Sequence, residues 1–96
     1  MSCEQLVKSF FSAASADGRI APTHISVYMA LVNCWILSSC ENPFQVTRKK
    51  IMKGARIRGL ATYHKCIREL KEYGYIRYEP SYHPSKGSKV CLVPIG

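Results

Sequence analysis

The stretch that decides the fold runs from Phe44 to Leu92: FQVTRKKIMKGARIRGLATYHKCIRELKEYGYIRYEPSYHPSKGSKVCL. Phe44-Gln45-Val46 alternates apolar and polar, the period of a half-buried strand. Thr47 is a good helix cap, and the helix it opens is expected from Arg48 to about Gly54 with Ile51 and Met52 inward. Gly54 to Gly59 reads as a turn. Gly59 is an acceptable cap for a second helix, Leu60 to Tyr73, and Gly74 stands where a helix end takes a left-handed residue. Tyr75 to Glu79 alternates again, Pro80 to Gly87 is rich in turn formers, and Lys89 to Val93 reads as the returning strand of a hairpin.

A short strand, two helices joined by a tight turn and a basic-tipped hairpin follow one another as they do in a winged helix-turn-helix. The expected fold class is mainly α with a small antiparallel β-hairpin sheet. In that module the second helix enters the major groove of duplex DNA. At about 100° per residue, Tyr63, Cys66, Ile67 and Leu70 share one face of the second helix and must pack inward. The opposite face shows Ala61, Lys65 and Arg68, flanked by Thr62 and His64. This mixture suits base readout: Lys and Arg donate to guanine O6 and N7, Thr bonds or touches a thymine methyl, and the small Ala61 lets the backbone approach.

Thr47, Arg48, Lys49, Lys50, Lys53, Arg56 and Arg58 crowd the preceding helix and turn, and Lys71 stands at the edge of the second helix. The first helix of such a pair crosses the backbone, so this set is read as phosphate contacts, which position without specifying sequence. His83, Lys86, Ser88 and Lys89 belong to the hairpin, the wing, which is expected on the backbone or in the minor groove. Tyr75, Tyr78 and Tyr82 are read as hairpin core and rim rather than as stacking platforms for single strands.

The charge follows the same division. The net charge is +8, yet residues 1–46 carry Lys8 and Arg19 against Glu4, Asp17 and Glu41, a balance of −1. Residues 47–96 carry 12 basic and 3 acidic side chains, a balance of +9. No fold requires such an excess, which adds self-repulsion; an anionic partner explains it.

Upstream, Leu6, Val7, Phe10 and Phe11 recur at helical spacing in a helix from Glu4 to Ala14 that Asp17-Gly18 ends. Residues 1–18 are expected to be a packing or dimerisation arm, with the DNA-binding domain at 19–96. The next helix opens at Pro22-Thr23 with Thr23 as cap and runs to about Ser39. Its apolar residues, from Ile25 through Met29 and Trp35 to Leu37, cover more than one side, so burial nearly all round is expected. This surplus, together with Phe10 and Phe11, is the basis for expecting a homodimer.

Catalysis is not expected. His24 looks like part of a helix start, the only close carboxylates are Glu69 and Glu72, and no glycine-rich phosphate loop is present. Cys3, Cys34, Cys40, Cys66 and Cys91 form no CxxC pair, so neither a metal nor another cofactor is expected. Cys66 and Cys91 are read as buried small hydrophobes, and reduced thiols with no signal peptide point to the cytoplasm. The most apolar stretch, Ile25 to Leu37, is too short to span a bilayer.

Four segments together resemble a known family: APTHISVYMALVNCW (21–35), NPFQVTRKKIMKGARI (42–57), ATYHKCIRELKEYGYIRYEPS (61–81) and HPSKGSKV (83–90). They are similar to small winged-helix proteins of Bacteroides-type bacteria, described as transcriptional regulators or DNA-binding proteins and often carried on mobile elements. The resemblance covers roughly residues 20–93 and is most specific in Thr62-Tyr63-His64-Lys65-Cys66, Tyr73-Gly74-Tyr75-Ile76 and Lys86-Gly87-Ser88. It implies sequence-specific binding of double-stranded DNA in transcription regulation or as an accessory factor of a mobile element. The alternative is a winged-helix protein-interaction module without specific DNA readout.

Overall fold

The computed structural model describes residues 2–80 and 87–94. Four helices and three strands follow in the order α1 (Cys3–Ala16), α2 (Pro22–Leu37), β1 (Phe44–Val46), α3 (Arg48–Ala55), α4 (Leu60–Glu72), β2 (Ile76–Glu79) and β3 (Ser88–Leu92). The chain is mainly helical, with one antiparallel sheet ordered β1-β3-β2. The central strand pairs Phe44 with Val90 on one side and Tyr78 with Val90 on the other.

Each helix boundary has a local cause. Ser2 caps α1 by accepting the Gln5 N–H, while the Gln5 side chain accepts the Ser2 N–H. Thr47 caps α3 by accepting the Lys50 N–H at 3.3 Å. Thr23, expected as a cap, is instead inside α2. Pro22 takes the first helical position, where its missing N–H costs nothing, and Ala21 becomes the cap residue. His24 Nδ1 accepts the N–H of the cap residue Ala21 at 2.8 Å, and the cap residue itself makes no side-chain hydrogen bond to the first turn.

The helix ends differ more from expectation. Gly74, at φ +86°, closes α4 with bonds from Gly74 N–H to the Lys71 carbonyl and from Tyr75 N–H to the Leu70 carbonyl. Arg56, at φ +62°, does the same for α3, so Gly54 is helical rather than part of the turn. Gly54 faces α2, and a Cβ there would stand 3.4 Å from the Ala30 Cβ, an ordinary van der Waals contact. Likewise α2 stops at Leu37, short of Ser39, because Ser39 and Cys40 both turn left-handed.

One core gathers residues from every element. Leu6, Phe10 and Ala14 of α1 are buried in it, and the Phe10 ring stacks on Tyr28 at 3.7 Å between centroids. The arm at residues 1–18 therefore lies over its own domain, and only Phe11 of the Phe pair is exposed. The expected burial of α2 on all sides is corrected: Met29, Ile36 and Leu37 are exposed, Leu37 by 77%. One small domain has no further element to lay on that face. Cys91, read as buried, is half-buried because it points away from the core side marked by Val90 and Leu92.

Candidate nucleic-acid interface

The α4 wheel comes out as the spacing predicts. Tyr63, Cys66, Ile67 and Leu70 are buried, whereas Ala61, Thr62, His64, Lys65, Arg68 and Lys71 are exposed. Burial pushes the Tyr63 hydroxyl up to about 12, so the inner face stays uncharged. The His64 ring rests edge-on against Tyr63, with centroids 5.4 Å apart, on the exposed side.

The basic set on α3 and the following turn is also exposed: Arg48, Lys49, Lys50, Lys53, Arg56 and Arg58. Among the described residues the ion pairs are Lys8–Glu4 and Arg19–Asp17, and none involves a cation of α3, α4 or the turn between them. Nine like charges on these elements, unpaired among the described residues, are electrostatically poised for an external anion. The structure does divide the set. Lys53, Arg56 and Arg58 line one shallow groove with Met52 and Ile57. Lys50 lines a different groove, against α2, with Lys53 at its border. Thr47 is exposed, and although its hydroxyl oxygen accepts the Lys50 N–H, its O–H is left to donate outward.

The hairpin is fixed to this surface at its root. Gly87 has φ +64°, and a Cβ there would lie 2.3 Å from the Val46 carbonyl oxygen and 3.3 Å from Thr47 Cγ2. Only glycine permits this approach, which sets the hairpin root beside the N-terminus of α3. Ser88 sits at that root rather than at a tip. Its hydroxyl is 2.8 Å from the Tyr78 hydroxyl, and its backbone pairs with Val46. Lys89 is exposed on β3, opposite Glu79 and Gln45. Tyr75 is buried and Tyr78 half-buried, as hairpin core and rim. His83 and Lys86, with Tyr82, lie outside the described residues.

Two residues that matter for the site carried no recognised signal. His24 is 5% exposed, and Glu69, set aside as half of a carboxylate pair, reaches it with Nε2 and Oε1 3.1 Å apart. Because Nδ1 is occupied as an acceptor from Ala21, the neutral ring carries its proton on Nε2 and donates it to Glu69. The other carboxylate oxygen accepts from the Tyr73 hydroxyl at 3.0 Å. The hydrogen bond from His24, then that from Tyr73 and the charge of Lys65, hold the Glu69 carboxyl below its ordinary range. Arg19 lies over the Tyr73 ring at 4.1 Å and forks onto Asp17, which also accepts from the Tyr75 hydroxyl at 2.9 Å. The last turns of α4 are thereby tied to the first turn of α2 and to the α1–α2 loop, which fixes how α4 presents its outer face. A sequence separation of 45 residues hides the pair from any local pattern.

Among the described residues no group of three or more His, Cys, Asp or Glu is placed to hold a metal ion, and no helix is long and apolar enough to cross a membrane. Comparison with protein-family models, with curated proteins and with solved structures finds no match to this chain.

Proposed function

We propose that this chain is a winged helix-turn-helix that binds double-stranded DNA in a sequence-specific manner, as a transcriptional regulator or an accessory factor of a mobile element. One observation carries the reading: the exposed cations of α3 and its turn form no ion pair among the described residues and adjoin a helix whose outer face mixes small, polar and basic groups. Phosphates would be met by Arg48, Lys49, Lys50, Lys53, Arg56, Arg58 and Lys71 and by the Thr47 hydroxyl, which fixes register without reading sequence. Ala61, Thr62, His64, Lys65 and Arg68 would face base edges in the major groove, Lys65 and Arg68 donating to guanine and Thr62 meeting adenine or a thymine methyl. The β2–β3 hairpin, pinned at Gly87, would lie along the flanking backbone with Lys89 toward phosphate. The His24–Glu69 bond supports the reading by holding α4 at a set angle to α2 without using its outer face.

Fluorescence anisotropy on a mixed-sequence duplex across a salt series tests the proposal. With about five to seven phosphates neutralised, log affinity falls against log salt with a slope of roughly −5 to −6. A flat salt response, or no binding at low salt, removes the reading.

A further inference from the structure

The structure holds a second surface whose apolar wall the DNA reading does not use. Where α3 passes α2 near Ala30 and Gly54, a groove runs between the two helices. Met29, Asn33 and Leu37 of α2 form one wall, Lys50 and Lys53 of α3 the other, and Cys34 lies between them. Met29 and Leu37 recur at two-turn spacing on the face of α2 that no element of the domain covers, and Ile36 adjoins them at 46% exposure. No acidic side chain lines the groove, and neither lysine is in an ion pair among the described residues.

We infer that the groove between α2 and α3 docks an acidic amphipathic helix of a partner protein, its apolar ridge on Met29, Ala30 and Leu37 and its carboxylates on Lys50 and Lys53. Charge decides the occupant. A second copy placed here by a two-fold axis would bring Lys50 and Lys53 toward their own mates, between two chains of net charge +8 each. A duplex would satisfy the lysines and leave Met29 and Leu37 facing water. A helix with large apolar residues at i, i+3, i+4 and i+7 and flanking Glu or Asp satisfies both walls at once, the ordinary helix-in-groove mode of recognition. The inference rests on the apolar wall of Met29, Ala30 and Leu37, which the DNA reading leaves unused, while Lys50 and Lys53 are shared with the proposed phosphate contacts.

The test uses the full chain, isotopically labelled for amide spectra, and synthetic helical peptides of about four turns. One peptide carries a leucine ridge with glutamate elsewhere, a second the same ridge with lysine, and a third the glutamates with alanine in place of leucine. The first is expected to bind and to shift amides of α2 and α3 around Ala30, Cys34 and Gly54, and the other two are not. Leu37→Asp and Lys50→Glu should each weaken the first peptide by about tenfold or more. Lys8→Glu, the same change of charge on α1, should not. Since Leu37 and Lys50 are exposed, amide spectra of the variants should confirm the fold. Equal binding by the alanine peptide, shifts confined to α4, or full affinity in Leu37→Asp would overturn the proposal. It also fails if a mixed-sequence duplex shifts the α2 amides around Met29, Asn33 and Leu37, since the apolar wall would then belong to the DNA face.

Discussion

The helices α2 and α4, of 16 and 13 residues, pack against each other and use their surfaces in opposite ways. On α4 every apolar residue at helical spacing is buried and the remaining face is polar or basic; only Leu60, at its first turn, stands out. On α2 the apolar residues run round the helix, and Val27, Tyr28, Leu31, Val32 and Trp35 are buried while Met29, Ile36 and Leu37 are not. An amphipathic helix declares its own orientation, because only one face gains by leaving water. A uniformly apolar helix declares only that more than one neighbour is wanted. Which faces are covered depends on how many neighbours the domain supplies, and whatever is left uncovered is available to a partner.

Core truncations give the largest test of this contrast. Leu31 and Leu70 are both fully buried, one on each helix. Leu31→Ala and Leu70→Ala should each cost about 2–5 kcal/mol in urea unfolding, by lost transfer energy and cavity formation. If Leu31→Ala proved mild while Leu70→Ala did not, the packed side of α2 would be misassigned and the comparison would fail.

The outer face of α4 is tested next. Lys65→Ala should cost about 1–3 kcal/mol on a selected duplex and relax preference at one or two positions. Lys49→Ala on α3 should weaken selected and scrambled duplexes alike and reduce the salt slope by about one unit. Equal losses on both duplexes for Lys65→Ala would make α4 a second positioning helix, with no base readout.

The tie between the two helices has a pH signature. The Glu69 carboxyl is held below its ordinary range first by the His24 hydrogen bond, and Asp17 is held well below it by Arg19. A carboxylate depressed in the folded state adds stability that is fully present above its unfolded value, about 4.3 for Glu and 3.9 for Asp, and that is lost as pH falls through the folded value. Thermal melting between pH 6 and about pH 3 should therefore show Tm falling over that acid limb. Glu69→Gln should flatten part of the limb with a small effect at neutral pH, since the neutral His24 Nε2–H can donate to the amide oxygen. An unchanged limb in Glu69→Gln would mean that the contact does not persist in solution. The smallest effect is expected at the uncovered strip: Leu37→Ser should stay within about 0.5 kcal/mol in stability.

Much of the C-terminal half was legible in the sequence. The Thr47 cap, the helical period of α4 and the left-handed Gly74 rest on near neighbours in the chain, and the strand at Phe44–Val46 showed in its alternation although its partner is the distant β3. Elsewhere the local signal misled. Gly54 stood at the expected boundary of helix and turn; it is helical, and the turn begins only at the left-handed Arg56. Thr23 looked like a cap, but Pro22 opens the helix one residue earlier and Ala21 is the cap residue, its N–H held by the His24 ring. Phe10 looked available for a second copy, and the ring of Tyr28 covers it.

By itself the sequence determined the mainly helical chain with its small antiparallel sheet, the concentration of charge after residue 46 and the two faces of α4. These follow from periodicity, capping and composition, which act over a few residues and need no knowledge of the rest of the molecule. Tertiary structure decided that α1 closes over its own domain, that His24 finds Glu69, that the hairpin root sits on Val46 at Gly87, and that one apolar strip of α2 stays open beside Lys50 and Lys53. Each of those depends on which distant surfaces meet. Burial is non-directional, so hydrophobicity alone names the residues that want cover without naming what covers them.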